Sequence, residues 1–259
     1  MKRAWAALLF SGCALPVVSA GTFLPAGDLK KGELHASVSI EAGRVLAGPT
    51  DVEAKVPPEA GPYEVSTWFA SDISLRWQAL RRVSLEGQLK LTNPVVPFTP
   101  AIVGGSLGAR LRLREQPPEG GLAVELGVRG VGVAVEEEIQ RPATAPVRVD
   151  RWKYRALGLE VPLIATYRVN PLFAITAAPF MRIYWIKAWH VIFQADRETT
   201  GATLQWTPVL STGIGISGSM LLGPLEIAPG VAFELATRPG LEQKIHLLFE
   251  PGLSIGTKF

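Results

Sequence analysis

The chain has 259 residues, of which 47% are hydrophobic and 19% charged, and its formal net charge is +3. Disorder is excluded, because disordered chains combine low hydrophobicity with high net charge. The single Cys13 excludes a disulfide scaffold and a multi-cysteine metal site. The mean hydropathy of +0.22 is high for a soluble protein, yet no apolar run after the N-terminus approaches the ~20 residues of a spanning helix.

The N-terminal segment resembles a secretory signal peptide. It begins with Lys2 and Arg3, continues as an apolar run and ends in small side chains at Ala20. We expect cleavage before Gly21, which leaves a mature chain without cysteine. The alternative is lipid attachment at Cys13, because the preceding Phe-Ser-Gly resembles a lipobox.

Apolar residues recur at every second position over most of the remaining chain, which is the pattern of strands with two unlike faces. In the first segment Leu34, Val38 and Ile40 share one face, whereas His35 and Glu41 share the other. About ten such segments follow one another. Helices are disfavoured, because Gly 26 and Pro 21 are scattered through all of them.

One segment changes its parity in the middle. Leu126 and Val128 lie on one face, but Val131, Val133 and Val135 follow on the other. This change predicts a β-bulge near the glycines at positions 130 and 132.

The connections between segments alternate in length. Short turns are predicted near residues 80–82, 116–120, 169–171 and 221–224. Longer loops are predicted at residues 44–65, 93–104, 136–150 and 188–203, with a shorter one at 237–242. Short turns on one side and long loops on the other are typical of outer-membrane barrels with periplasmic termini.

Aromatic residues gather beside both sets of connections. Beside the long loops are Trp68, Phe69, Trp152, Tyr154, Trp185, Trp189 and Trp206, and beside the short turns are Trp77, Tyr167, Phe173 and Phe259. Two aromatic girdles are typical of a lipid interface. We therefore expect the apolar face to lie outside the barrel, although the alternation by itself also fits a soluble barrel with an apolar interior.

The C-terminal segment places Phe249, Leu253, Ile255 and the terminal Phe259 on one face. This arrangement resembles the last strand of bacterial outer-membrane β-barrel proteins. The resemblance implies an assembly signal that the barrel-assembly machinery recognises, and an outer-membrane location after signal-peptide cleavage.

The predicted fold is all-β, a closed antiparallel up-and-down transmembrane β-barrel of about ten strands. The predicted organisation is a signal peptide (1–20), a periplasmic lead (21–32) and the barrel (33–259).

The polar faces of the segments define a predicted lumen network. Its members are His35, Glu41, Asp72, Arg76, Glu86, Lys90, Arg110, Arg112, Arg114, Glu125, Arg129, Glu160, Arg182, Glu226, Glu234, His246 and Glu250. A barrel of this size is filled by side chains, and buried charges require partners. We therefore expect a structural network of ion pairs rather than a ligand site.

Two catalytic arrangements known from such barrels are poorly matched by the sequence. Outer-membrane proteases use acidic pairs with an Asp-His pair near the outer rim, whereas here only His190, followed by Asp196, lies near a long loop. Lipid-modifying barrels use a Ser-His pair, and His35 and Ser37 share one face that points inward. The sequence predicts no catalytic residues, no cofactor, no metal site and no nucleic-acid partner.

The expected function is that of a small non-enzymatic outer-membrane barrel with a structural or surface-interaction role and a mostly filled lumen. Its expected partners are outer-membrane lipids, the assembly machinery and an extracellular ligand at the loops. Three alternatives stay open: a narrow pore for small solutes, a lipid or peptide hydrolase, and a soluble periplasmic barrel with a ligand cavity.

Overall fold

Ten antiparallel strands close into one barrel in the computed structural model of the chain. The residues described are 29–47, 68–92, 101–117, 120–141, 148–194, 197–237 and 245–259. The strands are β1 (Leu34–Ala47), β2 (Trp68–Trp77), β3 (Val83–Thr92), β4 (Ala101–Arg114), β5 (Gly121–Arg141), β6 (Arg148–Asn170), β7 (Phe173–Gln194), β8 (Arg197–Leu222), β9 (Leu225–Thr237) and β10 (Ile245–Lys258). Each strand pairs with its neighbours in the sequence, and β1 pairs with β10. The predicted closed up-and-down fold is confirmed.

The apolar face of the strands lies outside the barrel, and the polar face lies inside. Leu107 of β4 exposes 77% of its surface, whereas Glu160 of β6 is 0% exposed. Val38, Leu75, Leu159, Met181 and Ile255 are exposed in the same way. A soluble barrel has the opposite arrangement, so the architecture is that of a transmembrane barrel, as the sequence predicted. Within the described ranges, no helix is long and apolar enough to cross a membrane.

The two ends of the barrel differ in their connections. At one end, here called the short-turn end, two-residue turns join β6 to β7 at residues 171–172 and β8 to β9 at residues 223–224. Gly223 adopts a φ of 66° in the second of these turns, a conformation that glycine adopts without steric cost. The opposite end is here called the long-hairpin end.

Exposed aromatic residues lie near both ends. Trp77, Tyr167 and Phe259 are exposed towards the short-turn end, and Trp185 and Trp206 towards the long-hairpin end. Phe69 and Phe173 are also described, half-buried and exposed respectively. The side chains of Trp68, Trp152, Tyr154 and Trp189 lie outside the described part of the structure.

The predicted β-bulge in β5 is wrong. The pairing of β5 with β4 runs without a shift from Ala101↔Glu136 to Arg112↔Glu125, and Val131, Val133 and Val135 are buried inside the barrel. The parity is therefore constant along β5. In this part of β5 the inward positions carry valines and the outward positions carry glycines. The apolar residues therefore change from the outer face to the inner face, although the alternation of the strand itself does not change.

Two of the predicted long loops are largely strand. β5 extends to Arg141 and β6 begins at Arg148, while β7 extends to Gln194 and β8 begins at Arg197. Residues 136–150 and 188–203 therefore form mainly the ends of two long hairpins, and their polar residues belong to paired strands. β1 likewise continues to Ala47, into the region predicted as the first loop.

The residues before β1 cover part of the short-turn end. Leu29 is buried, and its carbonyl oxygen accepts a hydrogen bond from Nη2 of Arg112 at 2.9 Å. The amide of Gly32 donates to the carbonyl of Gln78 at 2.8 Å, and the amide of Gln78 donates to Glu33 at 2.9 Å. The lead is thus attached to β4 and to the residue after β2.

The predicted signal peptide and the alternative lipid attachment at Cys13 fall within residues 1–28, outside the described residues.

Candidate functional site

The barrel interior holds every residue of the predicted network whose side chain the structure describes, except Arg114. Buried in it are His35, Glu41, Asp72, Arg76, Lys90, Arg110, Arg112, Glu125, Arg129, Glu160, Arg182, Glu226, Glu234 and Glu250, and Glu86 is half-buried. A charge in such an interior is destabilising unless ion pairs and hydrogen bonds compensate its lost hydration. The arrangement of partners is therefore the central feature of this lumen.

Oppositely charged residues alternate along one row of the sheet. The row follows the register through Arg76 on β2, Glu86 on β3, Arg129 on β5, Glu160 on β6 and Arg182 on β7. Gly108 of β4 stands between Glu86 and Arg129. Each charge in the row therefore has an opposite charge as its nearest neighbour within that row, which lowers the electrostatic cost of burying them.

An arginine-rich cluster forms the part of the network on β2 to β5. Arg76 donates to Glu125 at 2.8 Å, and Arg110 contacts Glu86 at 2.5 Å. Arg112 contacts Glu125 at 3.5 Å, and Arg129 contacts Glu86 at 2.5 Å. Each of the two carboxylates is shared by several guanidinium groups, so removal of one carboxylate disturbs several partners.

Lys90 of β3 joins a carboxylate on the neighbouring strand β2 to a carboxylate on β1, the strand beyond it. Its Nζ lies 2.6 Å from Glu41 on β1 and 3.1 Å from Asp72 on β2. Ser39 contacts the same carboxylate of Asp72 at 3.5 Å. All three charged groups are almost fully enclosed.

Arg182 bridges the opposite part of the interior. It donates from Nε to Glu160 at 2.8 Å and from Nη1 to Glu234 on β9. Its guanidinium also lies 3.9 Å from the ring centre of Phe180, a distance at which a cation is attracted to an aromatic face. Arg182 therefore connects β6, β7 and β9 across the lumen.

Two glycines allow long side chains to cross an intervening strand. A Cβ on Gly108 would lie 2.7 Å from Cγ of Arg129, which passes over β4 to reach Glu86 on β3. A Cβ on Gly256 would lie 2.6 Å from Nε2 of His35, which passes over β10 towards Glu226 on β9. Both contacts are shorter than real side chains tolerate, so glycine at these positions is a condition for the cross-strand pairs.

His35 and Ser37 do not form a serine–histidine pair. Nε2 of His35 lies 3.5 Å from Glu226, while Oγ of Ser37 is hydrogen-bonded to Ser74 at 2.6 Å. Both side chains are buried. The side chain of His190 and the whole of Asp196 lie outside the described residues.

The placement of Arg114 in the lumen network is wrong. Arg114 is exposed, and the pairing of β4 with β5 shifts by one residue between Arg112 and Arg114. The strand leaves the regular register at its end, so the alternation no longer directs this side chain inward. His246 pairs with Ala236, and its side chain is not among those described.

Three of the predicted assembly-signal residues lie on the outer face of β10, and the fourth, Phe259, follows the strand directly. Leu253, Ile255 and Phe259 are exposed. Phe249 is half-buried, and its ring lies 5.3 Å from that of Phe233 on β9.

Gln78 belongs to the lumen network, although the sequence did not predict it as a member. It is buried, and its Oε1 accepts a hydrogen bond from Arg112 at 2.9 Å. Its position two residues after Arg76 was the available signal, since alternate residues share a face.

An apolar cluster fills the interior towards the long-hairpin end. Its members are Ala70, Ile102, Val131, Val133, Val135, Ala156, Tyr184, Ile186 and Val209. They come from β2 and from β4 to β8, in the halves of the strands that lead to the long-hairpin end. The lumen therefore has a charged section with an apolar section above it, and packed side chains occupy both.

The described residues offer no arrangement for metal chemistry, because no group of three or more His, Cys, Asp or Glu side chains among them could hold a metal ion. Six of the eight described interior carboxylates instead contact a guanidinium or ammonium group. The chemistry supported by these contacts is mutual neutralisation of buried charge.

No protein-family model matches the chain, and no curated protein matches it. Solved structures similar to it include the outer membrane protease OmpT from Escherichia coli, with 11% identity over 93% of this chain and 99% of that one and a TM-score of 0.47. Ail, the attachment invasion locus protein of Yersinia pestis, has 9% identity over 88% and 99%, with a TM-score of 0.38. The N-terminal β-barrel domain of Pseudomonas aeruginosa OprF has 10% identity over 89% and 100%, with a TM-score of 0.35. The architecture of the present chain is established by its own strand pairing.

Proposed function

We propose that the chain is a bacterial outer-membrane barrel with a closed lumen and a non-enzymatic role, structural or in surface interaction. The observation that carries this proposal is the filled interior. In the charged section ion pairs join β1 to β3, β6 to β7 and β7 to β9, and the apolar cluster occupies the interior above it. Side chains packed in this way stabilise the barrel and leave no open channel through it. The hairpins at its end are then the part that is available for interaction.

The membrane location is supported by the exterior. Leucine, isoleucine and valine side chains from every strand face outward, with exposed tryptophans near both ends. Such a surface is stable in lipid and would aggregate in water. The signal-peptide resemblance of residues 1–20 agrees with export, after which the outer membrane is the expected destination.

The non-enzymatic role is supported by the partners of His35 and Ser37. Ser37 is engaged with Ser74, and His35 is buried beside Glu226. Neither side chain is accessible to a lipid or a peptide from outside the barrel.

A narrow pore for small solutes is the second candidate, and the charge of the interior favours it. The predicted lumen residues that lie inside comprise six lysine and arginine residues and eight aspartate and glutamate residues. If the apolar cluster opened, this excess of acid would favour cations over anions.

Planar-bilayer recording tests the closed lumen. We expect the wild-type chain to show no large stable conductance. The triple variant Ile102→Ala/Val133→Ala/Ile186→Ala, which removes side-chain volume from the apolar cluster, should open measurably more often. A large stable conductance in the wild type would contradict the proposal and favour the pore.

A further inference from the structure

Exposed cations gather on one half of the short-turn end, beside β1 to β4. They lie on the lead before β1, in the connection from β2 to β3 and at the last position of β4. The turns on the other half, at residues 171–172 and 223–224, contain no charged residue. The exposed cations considered below, here called the basic rim, are Lys30, Lys31, Arg82 and Arg114.

One arginine residue brings the members of the basic rim together. The guanidinium of Arg112 donates to the carbonyl of Leu29 at 2.9 Å and to that of Arg81 at 3.4 Å. The backbone amide of Arg112 donates to the carbonyl of Arg82 at 2.8 Å. Each member of the basic rim lies within two residues of Leu29, Arg82 or Arg112, and consecutive Cα atoms are about 3.8 Å apart. The four cations therefore belong to one compact site.

Acidic residues at this site are fewer than the basic ones. Both oxygens of the exposed Glu115 accept hydrogen bonds from Arg81, at 3.0 and 3.2 Å. Glu33 accepts a hydrogen bond from the backbone amide of Lys30 at 2.7 Å. These are the two acidic residues in the described lead, in the connection from β2 to β3 and in residues 114–117, against five lysine and arginine residues. The site therefore has a net positive charge, which attracts anions.

Apolar residues beside the basic rim indicate its depth relative to the membrane. Leu80 lies in the same connection as Arg82, and Leu113 directly precedes Arg114; both leucines are exposed. Trp77 at the end of β2 is exposed as well, and tryptophan is enriched at the level of lipid headgroups. Arginine and lysine side chains next to apolar surface extend their charged ends to this level. The basic rim therefore lies where the phosphates of a lipid leaflet are found.

We propose that the basic rim binds the phosphate of an anionic phospholipid headgroup in the leaflet at the short-turn end, with Arg82 and Arg114 as the main contacts. The guanidinium of an arginine can donate two parallel hydrogen bonds to one phosphate. A lipid phosphate reaches this position when its acyl chains lie against Leu80, Leu113 and Trp77. This inference rests on the proposed membrane location.

The test uses the fluorescence of Trp77 in the full chain inserted into phosphatidylcholine vesicles. Brominated lipids quench a tryptophan that they contact, and subtraction of the Trp77→Phe form of each protein isolates the signal of Trp77. We expect brominated phosphatidylglycerol to bind beside Trp77 at least about tenfold more tightly in the wild type than in Arg82→Gln/Arg114→Gln, since each cation near an anionic headgroup contributes about a factor of five. Brominated phosphatidylcholine should quench both proteins equally.

The matched control is Arg82→Lys/Arg114→Lys, which keeps both charges and should keep most of the preference for phosphatidylglycerol. Equal binding of this lipid by the wild type and the glutamine variant would overturn the inference. Displacement of the lipid by inorganic phosphate alone would also contradict it, because the site would then take free phosphate.

Two further measurements separate this inference from its alternatives. Sedimentation with purified peptidoglycan sacculi tests a polymeric partner; binding that depends on Arg82 and Arg114, without any lipid preference, would overturn the lipid site. Insertion into the vesicles is followed by heat-dependent mobility in gels. Failure to insert would overturn the membrane location itself, whereas insertion without a preference for phosphatidylglycerol would overturn only the lipid site.

Discussion

At the scale of single residues, the lumen network depends on glycines as much as on charges. Arg129 and Glu86 lie on strands that are not neighbours, and their contact exists because Gly108 of β4 leaves the space between them open. Any larger residue there would meet the side chain of Arg129 and the carbonyl of Val128. Two charges that cannot reach each other would then stay buried.

The substitution Gly108→Ala tests this dependence. We expect it to lower the free energy of unfolding by about 2 kcal/mol or more, because the added methyl group overpacks the lumen and displaces Arg129. Urea unfolding of the barrel in vesicles measures the change. Gly130→Ala is the matched control on β5, since a Cβ there would meet its nearest atom only at 3.9 Å. Equal stability of the two variants would contradict the role of Gly108.

At the scale of strands, β5 differs from what its sequence pattern predicted. Its first half alternates as a membrane strand, whereas its second half directs valines inward and small residues outward. The inward valines belong to the apolar cluster that fills the lumen. The strand therefore serves lipid contact in one half and lumen closure in the other.

Cysteine labelling distinguishes the two faces of β5. In a Cys13→Ser background, Ala134→Cys should react readily with a maleimide because Ala134 is exposed. Val133→Cys should react at least about tenfold more slowly, because Val133 is buried in the lumen. If position 133 reacted faster than position 134, the valines of this half of β5 would face outward, and the predicted bulge would be supported instead.

The faces of most strands were predictable, because an alternation of period two needs only the identity of each residue. The face of the second half of β5 was not predictable. Its apolar residues lie inside and its small residues outside, so the sequence looks as if a bulge had moved the apolar residues to the other face. The long hairpins were missed because β5, β6 and β8 continue beyond the apolar belt with mainly polar residues, which resemble loops. Partners such as Arg129 and Glu86 were unpredictable as a pair, because their contact depends on register and on the open space at Gly108.

At the scale of the whole molecule, the exterior determines the environment that the barrel tolerates. Exposed apolar residues such as Leu107 and Met181 occur on every side of it. Cell membranes treated with alkaline carbonate should therefore retain the protein, and detergent should release it. Release of most of the protein by carbonate alone would support the soluble periplasmic barrel instead. A peripheral protein expressed in the same cells provides the control for complete carbonate release.

The pairing of β1 with β10 has a consequence for how the chain reaches its native state. His35 is paired with Lys258, so the closing contacts join positions at opposite ends of the barrel sequence. Contacts between residues so far apart in the sequence form slowly. The intervening chain must lose conformational entropy before the hydrogen bonds between the two strands can compensate for it. Until the last strand is available, β1 and β9 each present an unpaired edge that can template aggregation. Both edges therefore stay open from the synthesis of β1 until β10 is available to close the barrel.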